Sequence, residues 1–268
     1  MAKGQEGFLS GWALVLGASS GFGGTCAVEL ARAGMDIFGV HLDRKGTLPL
    51  AEKVQADVQA LGRKAIFFNV NAADEEQQQT VLAAIEAQLK ESNQLGQVRV
   101  LLHSLAFGAL KPMIGPDVLT RSQVEMTLDV MANSLVYWTQ GLVAKKLMGE
   151  GGRIYAMTSA GSLHMWGGYG AVSAAKCALE SHIRQLAFEL MPLGITANAV
   201  RAGVTDTPAL RKIPGSTGMI EVALRKTPTH RLTTTLDVAR CLTALARPET
   251  QWMTGNVINI DGGEETAG

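Results

Sequence analysis

Apolar residues along this chain fall into short continuous runs, separated by longer stretches in which they recur every three or four positions. The runs lie at 12–16, 37–42, 65–70, 98–102, 153–157, 195–200 and 256–260, a length and texture that suit buried strands. Between them, helical spacing covers 25–33, Leu50 to Leu61 (through Val54 and Val58), 74–89, 122–148, 169–191 and 237–246. Strand and helix therefore alternate. Runs that are apolar throughout imply strands covered on both faces, which calls for parallel pairing with crossover helices. The pattern predicts an α/β fold: a Rossmann-type doubly wound parallel sheet of about seven strands with helices on both faces.

One segment breaks the rhythm. Residues 208–230 mix Pro, Gly, Thr and basic residues with apolar ones, as a substrate lid would. No repeat, low-complexity tract or linker divides the chain, so 1–268 is expected to form a single domain, with 1–10 as a flexible leader.

Composition narrows the function by exclusion. Lys and Arg number 24 and Asp and Glu 24, so no net charge draws nucleic acid or an anionic membrane. Cys26, Cys177 and Cys241 are far apart and form no metal-ligand cluster, which argues against a disulfide framework or a structural zinc site. The first ten residues have no apolar signal core and no segment is long enough to span a membrane. A soluble cytoplasmic protein without metal is the expectation.

The chemistry-bearing residues sit at the ends of the apolar runs. After the first run comes G-A-S-S-G-F-G, where Gly17, Gly21 and Gly23 permit a tight turn and a helix amino terminus stands behind them. Ser19, Ser20, Gly21, Phe22 and Gly23 would then cradle a phosphate; an ordinary strand-to-helix turn is the plain alternative. The second run ends in D-R-K at 43–45. At that place an acid suits a free ribose 2′-hydroxyl and a base suits a 2′-phosphate, so Arg44 and Lys45 favour NADPH over NADH, a solvated charge cluster being the other reading. Val70 and H-S-L-A-F at 103–107 lie at the carboxyl ends of their strands, where ligands bind in open α/β sheets. His103 is assigned a structural role. Ser159, Tyr169 and Lys176 follow the fifth run, and Tyr169 and Lys176, seven residues apart, project from one helix face into a common cleft.

In this order the motifs resemble the short-chain dehydrogenase/reductases over nearly the whole chain. G-A-S-S-G-F-G is similar to the family's G-x-x-x-G-x-G, and Asn69 and Val70 to its adenine-contacting D-V. His103 to Ala106 resembles N-N-A-G, Thr158 and Ser159 the strand end bearing a catalytic serine, R-A-G-V-T-D-T the P-G-x-x-x-T motif, and I-D-G-G the V-D-G-G ending. The departures say more. The usual Y-x-x-x-K would put a tyrosine at 172, which is Val172, while Ser159 and Lys176 keep their usual separation. Tyr169 therefore stands about one helical turn upstream, in a Y-x6-K motif. That displacement, H-S-L-A-F, and R-A-G in place of a proline resemble the enoyl-acyl-carrier-protein reductase branch, in its subgroup without a second active-site tyrosine. The usual asparagine position falls on Met131, and Asn133 is given no role.

The resemblance implies hydride transfer from NADPH or NADH to C3 of a trans-2-enoyl thioester delivered by acyl carrier protein, in a homotetramer. Tyr169 would polarise the thioester carbonyl, Ser159 would add a hydrogen bond, and Lys176 would bind the nicotinamide ribose and lower the tyrosine pKa. Ser104, Leu105 and Ala106 would line the cofactor, and Gly203, Val204 and Thr207 would hold the carboxamide. A ketone or hydroxysteroid dehydrogenase on the same fold is the first alternative, and a non-enzymatic dinucleotide sensor or scaffold the second.

Overall fold

A computed structural model of the chain describes residues 8–267. Seven strands form one sheet: β1 (Trp12–Leu16), β2 (Asp36–His41), β3 (Ala65–Asn69), β4 (Val98–His103), β5 (Arg153–Thr158), β6 (Thr196–Ala202) and β7 (Val257–Ile260). Their order is β3-β2-β1-β4-β5-β6-β7, and every pairing is parallel. The chain turns outward in one direction from β1 to β3 and in the other from β4 to β7. The crevice between the β1 and β4 carboxyl ends is thus the switch point at which such sheets bind ligands.

Alternation within β1 divides the interior in two. Trp12, Leu14 and Leu16 point into one apolar layer, and Ala13 and Val15 into the other. The first layer is closed by α3 (Glu75–Glu91), α5 (Ser134–Ala144) and α6 (Gly170–Leu190), the second by α1 (Gly21–Arg32), α2 (Leu48–Ala60) and α8 (Thr235–Leu245). Trp12 stacks on Phe38 with ring centroids 4.0 Å apart, and the buried Trp138 of α5 donates from its indole nitrogen to the Ala72 carbonyl at 2.8 Å.

The elements depart from the sequence expectation in four places. Helix α1 begins at Gly21, directly after the glycine turn. The expected helix 122–148 is α4 (Arg121–Leu128), a π turn at Asp129–Asn133 and then α5, which stops at Ala144 because Lys146 adopts φ +54°. Tyr169 precedes α6 as its N-cap residue instead of lying within the helix. The 208–230 segment carries a 3-10 turn at Leu210–Lys212 and the helix α7 (Ser216–Lys226). The leader expectation falls mainly on residues 1–7, outside the described residues; Leu9 within it donates its backbone N–H to Ala33 O at 2.8 Å. No helix among the described residues is long and apolar enough to cross a membrane.

Trp138 combines full burial with a satisfied indole N–H, so truncation leaves both a cavity and an orphaned carbonyl. Trp138→Ala should lose about 3–5 kcal/mol of stability, read as a lowered urea midpoint. A midpoint within error of the parent would contradict this packing.

Candidate active site

The phosphate turn is built by absence of side chains. A Cβ on Gly23 would run into the Gly17 carbonyl, and one on Gly17 into the Ser104 carbonyl, so turn, helix and β4 loop close on one another only with glycine at both positions. Helices α3, α4 and α8 are capped by the side chains of Asp74, Thr120 and Thr234. Helix α1 has no side-chain cap and no acid in its first turn. Its leading N–H groups are left for an external acceptor, which is the arrangement a pyrophosphate requires. A cavity of about 390 Å³ opens there, lined by Ser19, Ser20, Gly21, Gly24, Leu50 and Val54 among others. Leu105 lies against the same turn, Phe22 packs into the second apolar layer, and Ala106 is exposed beyond them.

Around the β5 end the structure brings Ser159, Tyr169 and Lys176 together. Lys176 is 5 % exposed and donates from Nζ to the Met157 carbonyl at 2.7 Å. An ammonium carries three hydrogens, so two remain for a ligand. Burial pushes its pKa down to about 8, with Glu180 pulling the other way. Ser159 Oγ accepts from Gly161 N at 3.1 Å, which is the strand-end cap, and its own hydroxyl adjoins the Tyr169 phenol. The Tyr169 ring packs so closely on Gly161 that any Cβ there would strike it. Burial holds the phenol above its ordinary pKa, partly offset by the adjoining Ser159 hydroxyl. The expected lowering by Lys176 is not seen: desolvation penalises the phenolate, and the neighbour that favours it is Ser159.

Glu180, one turn beyond Lys176, anchors this end of the sheet. Its Oε1 accepts from Thr158 Oγ1 at 2.7 Å, Ser162 Oγ at 2.8 Å and the Arg201 guanidinium at 3.1 Å. Sequence reasoning missed Glu180 and Arg201, although the spacing Lys176 to Glu180 places both on one helix face. His103 has the structural role expected of it. Ser134 donates to the Val130 carbonyl, so its oxygen accepts from His103 Nε2 at 2.8 Å, and burial pushes the imidazole pKa down to about 3. Asn133 accepts from His182 Nε2 at 3.1 Å through its side-chain oxygen.

The position that would carry the family's usual tyrosine is filled by carbon. Val172 is 4 % exposed, and a Cβ on Gly108 would lie 2.8 Å from Thr127 Cγ2 and 2.9 Å from both Met131 Sδ and Val172 Cγ2. The same loop is tied down by Ala109 N donating to Thr127 Oγ1 at 3.0 Å. Met131 and Val172, both departures from the usual pattern, thus close on Gly108 from the same side and share one apolar cluster.

At the adenosine end, Asn69 grips the backbone of Asp43 through both side-chain atoms, each bond 2.9 Å, and Val70 N donates to His41 O. The Asp43 carboxylate is turned onto His41 Nδ1 at 3.0 Å, while Arg44 and Lys45 are exposed. Thr207 lies against Gly21, bringing the β6 loop to the phosphate turn. The Val204 N–H, expected to meet the carboxamide, instead donates to Glu264 Oε2 at 2.9 Å beside Gly203. The D-G-G turn, with φ of +64° at Gly262 and +87° at Gly263, aims that side chain back at β6. Large apolar residues stand exposed on three segments: Phe107 and Ile114, Leu163 and Met165, and Val222 and Leu224.

Residues 17–265 match the family model described as enoyl-(acyl carrier protein) reductase. The chain is 31 % identical to the 1-cyclohexenylcarbonyl-CoA reductase of Streptomyces collinus, covering 93 % of this chain and 85 % of that one. It is 30 % identical to the NADH enoyl-[acyl-carrier-protein] reductase of a Nostoc species, with 90 % of each covered. Among solved structures, a reductase described as catalysing keto-reduction at C1 in lugdunomycin biosynthesis superposes with a TM-score of 0.81 at 28 % identity, over 96 % of this chain and 98 % of that one.

A lysine held at about 8 is charged below that pH and loses its proton as pH rises through it. If the ammonium is what the site uses, kcat/KM should fall above about pH 8. In Lys176→Arg, whose guanidinium stays charged, the residual activity should lack that limb. A flat parent profile through pH 9.5 would contradict the assignment.

Proposed function

Because the chain belongs to the short-chain dehydrogenase/reductases, in the family described as enoyl-(acyl carrier protein) reductase, we propose that it reduces the C2–C3 double bond of trans-2-enoyl thioesters with NAD(P)H. The observation that carries the proposal is the placement of the phenol. Val172 is sealed against Met131 and Gly108, and the hydroxyl comes from Tyr169, beside Ser159. In ketone reduction the oxygen to be protonated sits on the carbon that receives hydride. In enoyl reduction it sits two carbons away, so a donor displaced by about a turn suits the second reaction.

With its pyrophosphate at the open α1 terminus and its nicotinamide ribose against Lys176, NAD(P)H would supply hydride to C3. Tyr169, kept protonated by its raised pKa, donates a hydrogen bond to the thioester oxygen as enolate character grows there. Ser159, whose hydroxyl adjoins the phenol, would support it from the side or turn its proton to the same oxygen. Lys176 uses its two remaining hydrogens on ribose hydroxyls and brings positive charge near the developing anion. The apolar rim of Phe107, Ile114, Met165 and Leu224 suits an acyl chain, delivered by acyl carrier protein. The exposed Arg44 and Lys45, with Asp43 turned away onto His41, support NADPH as the partner. Assembly as a homotetramer would cover the outer faces of α5 and α6, where Tyr137 and Phe188 stand exposed.

A second reading is favoured by one observation: the superposed keto-reducing structure shares nearly the full chain. It keeps the cofactor and the residues and moves the reaction to a carbonyl.

Crotonyl thioester should be reduced at least tenfold faster than acetoacetyl thioester, with NADPH preferred over NADH at the nicotinamide absorbance. Tyr169→Phe should lower crotonyl kcat by a factor of about 10² or more, and Lys176→Ala should weaken cofactor binding as well. Faster turnover of acetoacetyl thioester would transfer the assignment to ketone reduction; unchanged rates in both variants would remove these two residues from the chemistry.

A further inference from the structure

Two glutamates at the end of the described chain are absorbed by no step of the reaction. Glu264 takes the Val204 N–H at the root of the 208–230 segment. Its neighbour Glu265 accepts from His164 Nε2 at 2.6 Å, in the loop that joins Ser159 to Tyr169. That loop is tied to the lid from its other side, since Trp166 donates from Nε1 to the Pro214 carbonyl at 3.0 Å and its ring lies beside Gly215. Tyr169 in turn donates its backbone N–H to Trp166 O at 3.1 Å. The far end of the lid returns to the same place, with Thr227 and Pro228 in contact with Gly262 and Gly263.

These links close a circuit: Glu264 to the lid root, Pro214 in the lid to Trp166, His164 to Glu265, and Glu265 to its neighbour Glu264. Burial supports the link at Glu264. Glu264 is half-buried and its carboxyl is held above the ordinary range by desolvation, with Asp261 and Glu265 adding to the rise and Lys226 opposing it. A carboxylate tolerates that setting because Val204 N–H is aimed at it.

We infer that Glu264 and Glu265 are positioning residues, which lock the lid and the Ser159–Tyr169 loop into one frame and thereby hold the Tyr169 phenol in register with the substrate. The inference rests on the proposed reading only in taking Tyr169 as the group that meets substrate. It does not depend on which bond is reduced. A short route, Pro214 to Trp166 to the Tyr169 amide, links the lid to Tyr169, while the lid root at Val204 and the loop at His164 are both tied to a single turn of chain, Asp261–Glu265.

The test uses the full chain and the variants Glu264→Ala, Glu264→Gln, Glu265→Ala, Glu265→Gln and Trp166→Phe. Limited trypsin cleavage after the exposed Arg211 and Lys212 reads the frame without any reaction. NADPH fluorescence titration reads the cofactor site, and kcat and KM for crotonyl thioester read the reacting end. The alanine variants and Trp166→Phe should speed lid cleavage and lower kcat/KM by about three- to tenfold each. The glutamine variants, whose amide oxygens still accept, should restore most of both. Trp166→Phe added to Glu265→Ala should cost less than the product of the two, because both open one circuit. Faster cleavage with kcat/KM unchanged would reduce the glutamates to structural anchors and overturn the inference, as would equal loss in the alanine and glutamine variants. Should the parent itself leave crotonyl thioester unreduced, the proposed reaction fails separately. The frame is then judged on cleavage and on NADPH affinity, where unchanged values in the alanine variants overturn it.

Discussion

The ammonium of Lys176, buried at the end of β5, is the constraint around which this end of the molecule is arranged. Withdrawing such a charge from water costs several kcal/mol, and the fold answers with local partners. The Met157 carbonyl takes one hydrogen directly, and Glu180 one turn along α6 supplies the opposing charge. Glu180 is itself placed by Thr158, Ser162 and Arg201, so strands β5 and β6 and helix α6 share a polar knot at the carboxyl end of the sheet. Removing Glu180 would leave both Lys176 and Arg201 without their opposing charge. Interlocking of this kind is why the lysine stands in one place with two hydrogens unspent.

Against that fixed point the phenol could approach from two places on the chain. The nearer one, at 172, is closed by packing of a kind only an aliphatic side chain allows: Gly108, Thr127, Met131 and Val172 meet at van der Waals contact. The farther one, just before α6, is opened by Gly161, which lets the Tyr169 ring lie flat against the β5 loop. Two glycines, one closing and one opening, decide where the hydroxyl stands. Chemistry follows from volume here as much as from charge.

Much of this was legible in residue order. Continuous apolar runs announced the parallel sheet, because that signal is local and periodic; the seven-residue spacing of Tyr169 and Lys176 assumed a helix through both, whereas Tyr169 stands just before α6. The interruption of the long helix was not legible, since Asp129 to Asn133 contains no glycine or proline to mark a π turn. The stop after Ala144 was hidden too, because Lys146 takes a left-handed conformation without a glycine to announce it. Nor could spacing find the Glu264 contact with Val204: sixty residues separate them, and only the sheet brings the last turn back over β6. The same holds for Asp43, whose acid looked free to meet a ribose and is turned inward by His41.

The π turn has a consequence of its own. An added residue in a helix advances everything downstream by about 100° of rotation. Upstream of the turn, Thr127 faces the site wall; downstream, Leu135, Trp138 and Leu142 face the deep core. A uniform helix would bind these two surfaces to one phase, so that any shift suiting the cleft would unseat the tryptophan. The turn works as a coupling with a step in it. A substitution on the cleft wall at Thr127 can thus be accommodated without turning Trp138 out of the interior.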